Sequence, residues 1–128
     1  MTLKTNYKEI LFEVTDDVAW ITINRPQVRN AFREQTLDEL IEAIKSTRED
    51  PSIVAAVVTG AGDKAFSAGG DFDAMMKLNR ANAMHWNDRM LGLAMAIRGV
   101  PIPVIAMVHG ACMGGGHELA LWCDLVIS

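Results

Sequence analysis

Two short apolar segments near the start of the chain have the pattern of β-strands. Residues 10–14 and 18–23 are rich in β-branched and aromatic side chains, and a short turn containing Asp16 and Asp17 separates them. Two such runs on either side of turn-forming residues predict a β-hairpin. Pro26 follows the second run, and because proline has no N–H to give to a strand ladder, we expect that strand to end before it.

Two longer segments have the periodicity of amphipathic helices. The first begins at Thr36 with the sequence Thr-Leu-Asp-Glu, which is typical of a capping box, and apolar residues then recur every three or four positions. We expect it to end near Glu49, since Asp50 precedes Pro51 and is pushed out of helical conformation. The second helix is predicted over residues 81–97. Its apolar stripe comprises Ala83, Trp86, Met90, Ala94 and Ile97.

Two further strands are each followed by a glycine-rich segment. Residues 53–59 and 103–108 are continuous apolar runs, which is typical of strands covered on both faces. After the first run comes a small-residue loop at 65–71. After the second comes a glycine-rich turn at 110–116, and a short helix is predicted from His117. The order of strands and helices predicts an α/β fold.

The sequence ends within another apolar run, at residues 124–127, which has the pattern of a buried strand. Domain boundaries usually fall in exposed polar linkers rather than in strands. We therefore expect residues 1–128 to form the N-terminal part of a single domain whose second half lies outside this sequence.

The amino-acid composition mainly excludes certain classes of protein. Apolar residues make up 50% of the 128 residues and charged residues 22%, which is ordinary for a globular protein. The net charge of -4 and the absence of a basic stripe argue against nucleic-acid binding. Since no apolar run reaches the ~18 residues of a membrane span and no signal segment is recognisable, we expect a cytoplasmic protein without membrane contact. Cys112 and Cys123 are expected to be buried, reduced thiols.

The two glycine-rich turns suggest a site for an anion. Glycine lets the backbone approach a ligand closely, and the first N–H groups of a helix have no partner within the helix. One backbone N–H from each turn would then converge on one oxygen as an oxyanion hole. The alternative is that these glycines only permit tight turns and close packing.

Glu118 is a candidate for proton transfer. It is the one acid between Asp88 and Asp124, in a strongly apolar stretch, where a carboxylate tends to have a raised pKa. Its alternative role is to complement the positive end of the helix dipole. The histidines show no metal-ligand spacing, so no metal site is predicted.

Two other motifs are weaker. The sequence from Gly60 to Ala65 fits the spacing of a dinucleotide fingerprint, but the helix that such a site requires does not follow it. Ser67 lacks the flanking glycine of a nucleophile elbow and is expected to be a turn residue.

Several motifs, in this order and spacing, resemble those of the crotonase (enoyl-CoA hydratase/isomerase) family. Asn24-Arg25-Pro26 with Asn30-Ala31 is similar to N-R-P-x-x-x-N-A, and residues 65–71 are similar to A-F-x-A-G-x-D. Residues 103–124 resemble P-V-I-A followed by G-x-x-x-G-G-G-x-E-L-A-x-x-C-D.

The resemblance implies a crotonase-like spiral of ββα units, here incomplete, and an acyl-CoA thioester as substrate. No cofactor beyond the CoA of the substrate is implied, and the complete protein is expected to form a homotrimer or hexamer. By position, the N–H groups of Gly70 and Gly115 would form the oxyanion hole, and Glu118 would activate water. The residues implied in substrate or CoA binding are Val28, Arg29, Ala31, Ala68, Gly69, Gly70, Asp71, Phe72, Gly114 and Gly115.

The reaction that the resemblance favours is hydration of a 2-enoyl-CoA, but alternatives remain. Hydratases have a second glutamate further along the chain, which here would lie past Ser128. Gly70 stands where typical hydratases have alanine, and Gly69-Gly70-Asp71 also resembles naphthoate synthases and hydroxyacyl-CoA hydrolases. An isomerase, hydrolase, decarboxylase or ring-forming synthase, or an inactive fragment that binds acyl-CoA or a complementary chain, is the alternative.

Overall fold

The computed structural model describes residues 3–4 and 6–128, with side chains described from residue 6 onward. The strands are Leu3–Lys4 (β1), Ile10–Thr15 (β2), Val18–Ile23 (β3), Ala55–Gly60 (β4), Ala65–Ser67 (β5), Val104–Met107 (β6), Ala111–Cys112 (β7) and Leu125–Ile127 (β8). The α-helices are Glu34–Ser46 (α1), Phe72–Met76 (α2), Ala83–Gly99 (α3) and Gly115–Trp122 (α4). Single 3₁₀ turns occur at Pro26–Val28 and Thr47–Glu49.

A large mixed sheet contains the strands in the order β1-β2-β3-β4-β6-β8. The first three strands are antiparallel, and β4, β6 and β8 continue the sheet in parallel pairings. The predicted hairpin is confirmed, because β2 pairs with β3 in a register that leaves Asp16 and Asp17 as the turn. Both residues have positive φ, as the tightest hairpin turns require.

The core lies between the large sheet and helices α1 and α3. Strand β4 has parallel neighbours on both sides, and five of its six residues are buried, as its unbroken apolar sequence predicts. Helix α1 turns Leu37, Leu40 and Ile44 into this core, and all three are fully buried. Helix α1 also packs against α3. The long-range apolar pattern of the sequence therefore builds this part of the fold.

The predicted N-cap of α1, Thr36, is wrong by three residues, because the observed N-cap is Arg33. The helix begins at Glu34, so Thr36 occupies its third position and accepts a hydrogen bond from the Arg33 N–H at 3.1 Å. Glu39 is buried and accepts hydrogen bonds from the backbone of Lys8 and Glu9 instead of capping the helix. A buried carboxylate is satisfied here by the segment that leads into β2, which local sequence does not indicate.

Helix α3 is shifted by two residues from its predicted position, and its buried stripe differs. Trp86 and Ile97 are buried as expected, but Leu93 and Ala96 complete the stripe. The other residues predicted for the stripe are only partly buried: Ala83, Met90 and Ala94.

Several short strands and helices are not predicted by the sequence. The expected loop at 65–71 contains β5, and the expected turn at 110–116 contains β7; together they form a separate two-stranded parallel sheet. Helix α2 was not predicted either. These elements are too short to show periodicity, and contacts distant in sequence decide their conformation. Strand β8, expected to be buried, has all three of its residues more than half exposed.

The two weaker sequence motifs have structural explanations. The Gly60–Ala65 segment leads from β4 into β5, so no helix begins there, as predicted. Ser67 lies fully buried in β5 rather than in a turn. Both cysteines are free thiols, but only Cys123 is buried and Cys112 is partly exposed.

Candidate active site

The small β5-β7 sheet brings the two glycine-rich turns together. Each turn directly follows one of its strands, and the Met113 N–H donates to the Ser67 carbonyl oxygen at 3.0 Å. A Cβ atom placed on Gly69 would lie 3.0 Å from the Gly115 nitrogen. Segments nearly fifty positions apart in the sequence are therefore in direct contact at the start of helix α4.

The hydrogen bonds around the amide groups of Gly70 and Gly115 are formed by neighbouring residues. Phe32 bridges to Gly70 through the flanking residues: its N–H donates to the Gly69 carbonyl at 2.7 Å, and its carbonyl accepts from the Asp71 N–H at 2.6 Å. Gly115 is the first residue of α4, where an N–H has no intrahelical partner. Within residues 6–128, neither of these two amides has a described hydrogen-bond partner.

The geometry of the turns depends on glycine at two positions in particular. Gly69 has φ +95°, a conformation that L side chains rarely adopt. Gly116 is buried against β5, and a Cβ atom there would overlap the Ser67 carbonyl oxygen. A side chain at Gly116 would push α4 away from β5, so close packing and turn formation both contribute to the glycine pattern.

Apolar side chains lie beside the Cα atoms of Gly70 and Gly115. A Cβ atom on Gly70 would lie 2.9 Å from the Met75 sulfur and 3.6 Å from the Trp86 ring. A Cβ atom on Gly115 would lie 3.1 Å from the Phe32 ring and 3.4 Å from the Met90 methyl group. Hydrogen bonds formed beside such groups are stronger than in water, because the local dielectric constant is lower.

Glu118 lies on the same helix as Gly115, three residues later, and therefore on the same face of α4. Its backbone N–H donates to the Gly114 carbonyl at 3.0 Å. The side chain is exposed in this chain, so the apolar enclosure expected from its sequence neighbours is not present. Its position in the first turn of α4 also allows the helix-dipole role considered above.

A buried cluster of charged residues, not recognised in the sequence, supports the first turn. Arg25 is 7% exposed, and its Nη1 donates to the Asp71 carboxylate at 3.0 Å and to the Ala31 carbonyl at 2.7 Å. Glu9 lies on the other side of the same guanidinium, with its Oε2 atom 3.5 Å from Arg25 Nε, and also pairs with Arg33.

The charges in this cluster are stabilised by their partners. Burial alone would raise the pKa of Asp71, but the Ala74 N–H and Arg25 outweigh it and hold that pKa below its ordinary value. Burial likewise opposes ionisation of Glu9, yet hydrogen bonds from Arg33 and Thr36 lower its pKa. Both carboxylates therefore favour the ionised form in the folded protein.

Asn30 and Ser67 form a second buried set of hydrogen bonds. The Asn30 side chain accepts from the Arg25 N–H and donates to the Ala61 and Ala65 carbonyls, at 3.0, 3.0 and 2.8 Å. The Ser67 hydroxyl donates to the Asn30 carbonyl at 2.7 Å and accepts from the Gly69 N–H at 3.1 Å. In the sequence, only the motifs that contain Asn30 and Ser67 pointed to these residues. Both lie among residues that favour turns, which gave no other indication of these hydrogen bonds.

The residues predicted to bind substrate or CoA fall into different environments. Val28 and Asp71 line an open cleft of about 900 Å³ that extends to Trp86. Arg29 lines a separate cavity of about 150 Å³ with Lys64. The exposed members of the predicted set are Val28, Arg29, Ala68, Gly70, Phe72 and Gly114. The buried members are Ala31, Gly69 and Asp71, and Gly115 is intermediate.

Within the described part of the chain, no group of three or more histidine, cysteine, aspartate or glutamate residues is placed to hold a metal ion. None of the helices described in residues 6–128 has the length and apolar character to cross a membrane.

Comparison with known proteins places this arrangement in a family. A family model described as enoyl-CoA hydratase/isomerase matches residues 13–128. The crystal structure of an enoyl-CoA hydratase from Bacillus anthracis is 31% identical, with a TM-score of 0.89 over 93% of this chain and 46% of that chain. An enoyl-CoA hydratase from Mycobacterium smegmatis is 36% identical, with a TM-score of 0.88, and the match covers 93% and 47% of the two chains.

A third similar structure is that of an enoyl-CoA hydratase/carnithine racemase from Magnetospirillum magneticum. It is 33% identical, with a TM-score of 0.90, and the match covers 97% of this chain and 46% of that chain. This chain thus spans about half the length of the three solved structures and forms a partial fold. The resemblance expected from the motifs is confirmed, and the chain belongs to the enoyl-CoA hydratase/isomerase family.

Proposed function

We propose that the complete protein hydrates a 2-enoyl-CoA, using the N–H groups of Gly70 and Gly115 as an oxyanion hole and Glu118 to activate water. The observation that carries this proposal is the pair of adjacent turns whose two amides have no described partner within residues 6–128. The family match and the solved enoyl-CoA hydratases of similar fold support the choice of substrate class.

Each group has a defined task in the proposed reaction. The Glu118 carboxylate accepts a proton from water while the water oxygen forms a bond to C3 of the enoyl group. The electron pair of the C2–C3 double bond then moves toward the thioester, which becomes an enolate with its charge on the carbonyl oxygen. Gly70 and Gly115 donate hydrogen bonds to that oxygen. C2 then takes up the proton that Glu118 accepted, which completes the addition of water and returns Glu118 to its carboxylate form.

In this proposal, the two amide donors contribute most to catalysis. Removing one oxyanion-hole donor typically costs about 2.7–4 kcal/mol of transition-state stabilisation. Such donors act well only if they are fixed before the charge develops.

The reaction needs no further cofactor, because CoA arrives as part of the substrate. The homotrimer or hexamer belongs to the same proposal, and sedimentation of the complete protein tests it.

Replacement of Glu118 by glutamine in the complete protein tests the assignment of the base. Since general acid–base groups typically contribute about 10²- to 10⁴-fold, we expect kcat for hydration of crotonyl-CoA to fall within that range. His117→Gln is a matched control, because His117 is an exposed neighbour on the same helix. Near-normal hydration by Glu118→Gln would refute the assigned role.

Other reactions of the family are tested with the same preparation. Gly70 in the place of the alanine of typical hydratases is the feature that favours an alternative reaction. Assays for isomerisation, thioester hydrolysis, decarboxylation and ring closure on matched acyl-CoA substrates distinguish these alternatives. If the protein catalyses one of these reactions and does not hydrate enoyl-CoA, hydration is refuted as its reaction. That result would not contradict the proposed oxyanion hole.

A further inference from the structure

The position of the Gly70 amide depends on a few residues of the buried charged cluster. Gly70 lies between Gly69 and Asp71, and both of these neighbours hydrogen-bond to the backbone of Phe32. The direction of the Gly70 N–H is therefore set by how firmly the segment 69–71 is held against the segment 31–32.

Arg25 joins these two segments directly. One guanidinium nitrogen, Nη1, binds the Ala31 carbonyl on one side and the Asp71 carboxylate on the other, at 2.7 and 3.0 Å. Arg25 and Asp71 are 7% and 8% exposed, so water competes little for these bonds. Arg25 itself is fixed by Asn30, which accepts a hydrogen bond from its backbone N–H.

The second oxygen of Asp71 extends the same connection to helix α2. Oδ1 accepts from the Ala74 N–H at 3.0 Å and caps the helix, while Oδ2 binds Arg25. Met75, which packs against Gly70, is on this helix. One buried ion pair thus fixes both the turn that carries the amide and the side chain that covers it.

We propose that Arg25 is a positioning residue for the Gly70 amide and acts through Ala31 and Asp71. This inference rests on the proposed function, because it assumes that the amide donates to the thioester oxygen. A planar guanidinium can serve two acceptors in fixed directions, whereas a lysine ammonium on a flexible stem cannot hold both with the same geometry. The role is one of orientation, because Arg25 acts on the amide through the two segments that it joins.

The test measures how strongly the bound thioester carbonyl is polarised. Butyryl-CoA with ¹³C at the thioester carbonyl is bound to the complete protein, and its carbonyl stretch is recorded by isotope-edited infrared spectroscopy. In the wild-type protein we expect the stretch to move to lower frequency on binding. In Arg25→Lys we expect the frequency to return most of the way toward that of free butyryl-CoA.

The kinetic consequence should appear in kcat rather than in KM. A displacement of about 1 Å at a reacting centre can cost about a hundredfold in rate, so we expect kcat to fall by up to about that factor. Asp71→Asn is the second variant. It keeps the side-chain shape and a capping oxygen but removes the charge that Arg25 binds, so it decides the question if Arg25→Lys does not fold.

Arg33→Lys is the matched control. Arg33 pairs with Glu9 in the same cluster, but its side chain is half exposed and forms no described hydrogen bond or ion pair with Ala31 or Asp71, and Arg33→Lys keeps its charge. We expect this variant to keep the wild-type carbonyl frequency and kcat. A wild-type protein that leaves the carbonyl frequency unchanged would overturn the proposed function itself. A wild-type shift that both Arg25→Lys and Asp71→Asn retain, with normal kcat, would overturn the role of Arg25 alone.

Discussion

The large sheet and the small β5-β7 sheet are built in different ways. In the large sheet and on helix α1, fully buried side chains such as Ile21, Val58 and Leu40 are apolar and pack between β-strands and helices. Around β5 and β7, buried polar side chains such as Asn30 and Ser67 form hydrogen bonds to the backbone. The first region is stabilised mainly by removal of apolar surface from water, and the second is kept in one conformation by directional bonds.

Because of this difference, the stability of the fold and the geometry of the candidate site depend on different regions of the molecule. Apolar packing tolerates small shifts, because it is largely non-directional. A hydrogen-bonded turn changes the direction of its amides when a single partner is lost. We therefore expect changes in the large sheet to reduce stability first, and changes around the glycine turns to reduce activity at a smaller cost in stability.

The largest expected effect on stability is in the core beneath the large sheet. Leu40 is fully buried on α1, so Leu40→Ala should lower the free energy of unfolding by about 2–5 kcal/mol. Urea denaturation of the complete protein measures this loss. Leu11→Ala on β2 is the control, because Leu11 is 52% exposed. Equal losses in the two variants would contradict the assignment of the core.

A loss of activity larger than the loss of stability explains is expected at Asn30. Asn30→Ala leaves backbone groups of Arg25, Ala61 and Ala65 without their partner, and one such group, when buried, typically costs about 1–3 kcal/mol. We expect kcat to fall more than the loss of folded protein explains. The exposed Asn87→Ala on α3 serves as control. Unchanged kcat per folded molecule would break the distinction between the two regions.

The smallest effect concerns acid stability. The pKa values of Glu9 and Asp71 are lowered in the fold, while the unfolded chain keeps ordinary values of about 4.3 and 3.9. The unfolded state then binds protons first as the pH falls, so the stabilisation is complete above about pH 5 and is lost below it.

Urea midpoints measured between pH 3 and pH 6 test this expectation. Glu9→Gln should show a shallower fall in stability toward low pH than the wild-type protein, because one of the responsible carboxylates is gone. Glu13→Gln on the exposed face of β2 is the control. A wild-type protein whose stability rises as the pH falls through this range would contradict the assigned direction.

The sequence was sufficient to predict the parts of the fold that have long apolar patterns. The β2-β3 hairpin, the buried strand β4 and the core face of α1 follow from alternation, unbroken apolar runs and helical spacing. Strands β5 and β7 and helix α2 could not be predicted, since two to five residues show no periodicity. Their structure depends on contacts such as Phe32 with Gly70, which are distant in sequence.

Some features of the candidate site were predicted from the sequence and others were not. The glycine spacing indicated two turns, and the structure brings those turns into contact. The apolar neighbours of Glu118 in sequence suggested burial, but on α4 the side chain points to an exposed face of this chain. Arg25 and Asp71 gave no signal from composition, because a charged residue is normally expected on the surface. Their motifs alone marked them, and their pairing across 46 positions required the fold.

The central claim is that the Gly70 and Gly115 amides bind one thioester oxygen. A crystal structure of the complete protein with acetoacetyl-CoA tests it most directly. We expect both amide nitrogens to lie about 2.7–3.1 Å from the thioester carbonyl oxygen, with their N–H bonds directed toward it. A bound thioester whose oxygen contacts neither amide, or N–H bonds of Gly70 and Gly115 that diverge from each other, would contradict it.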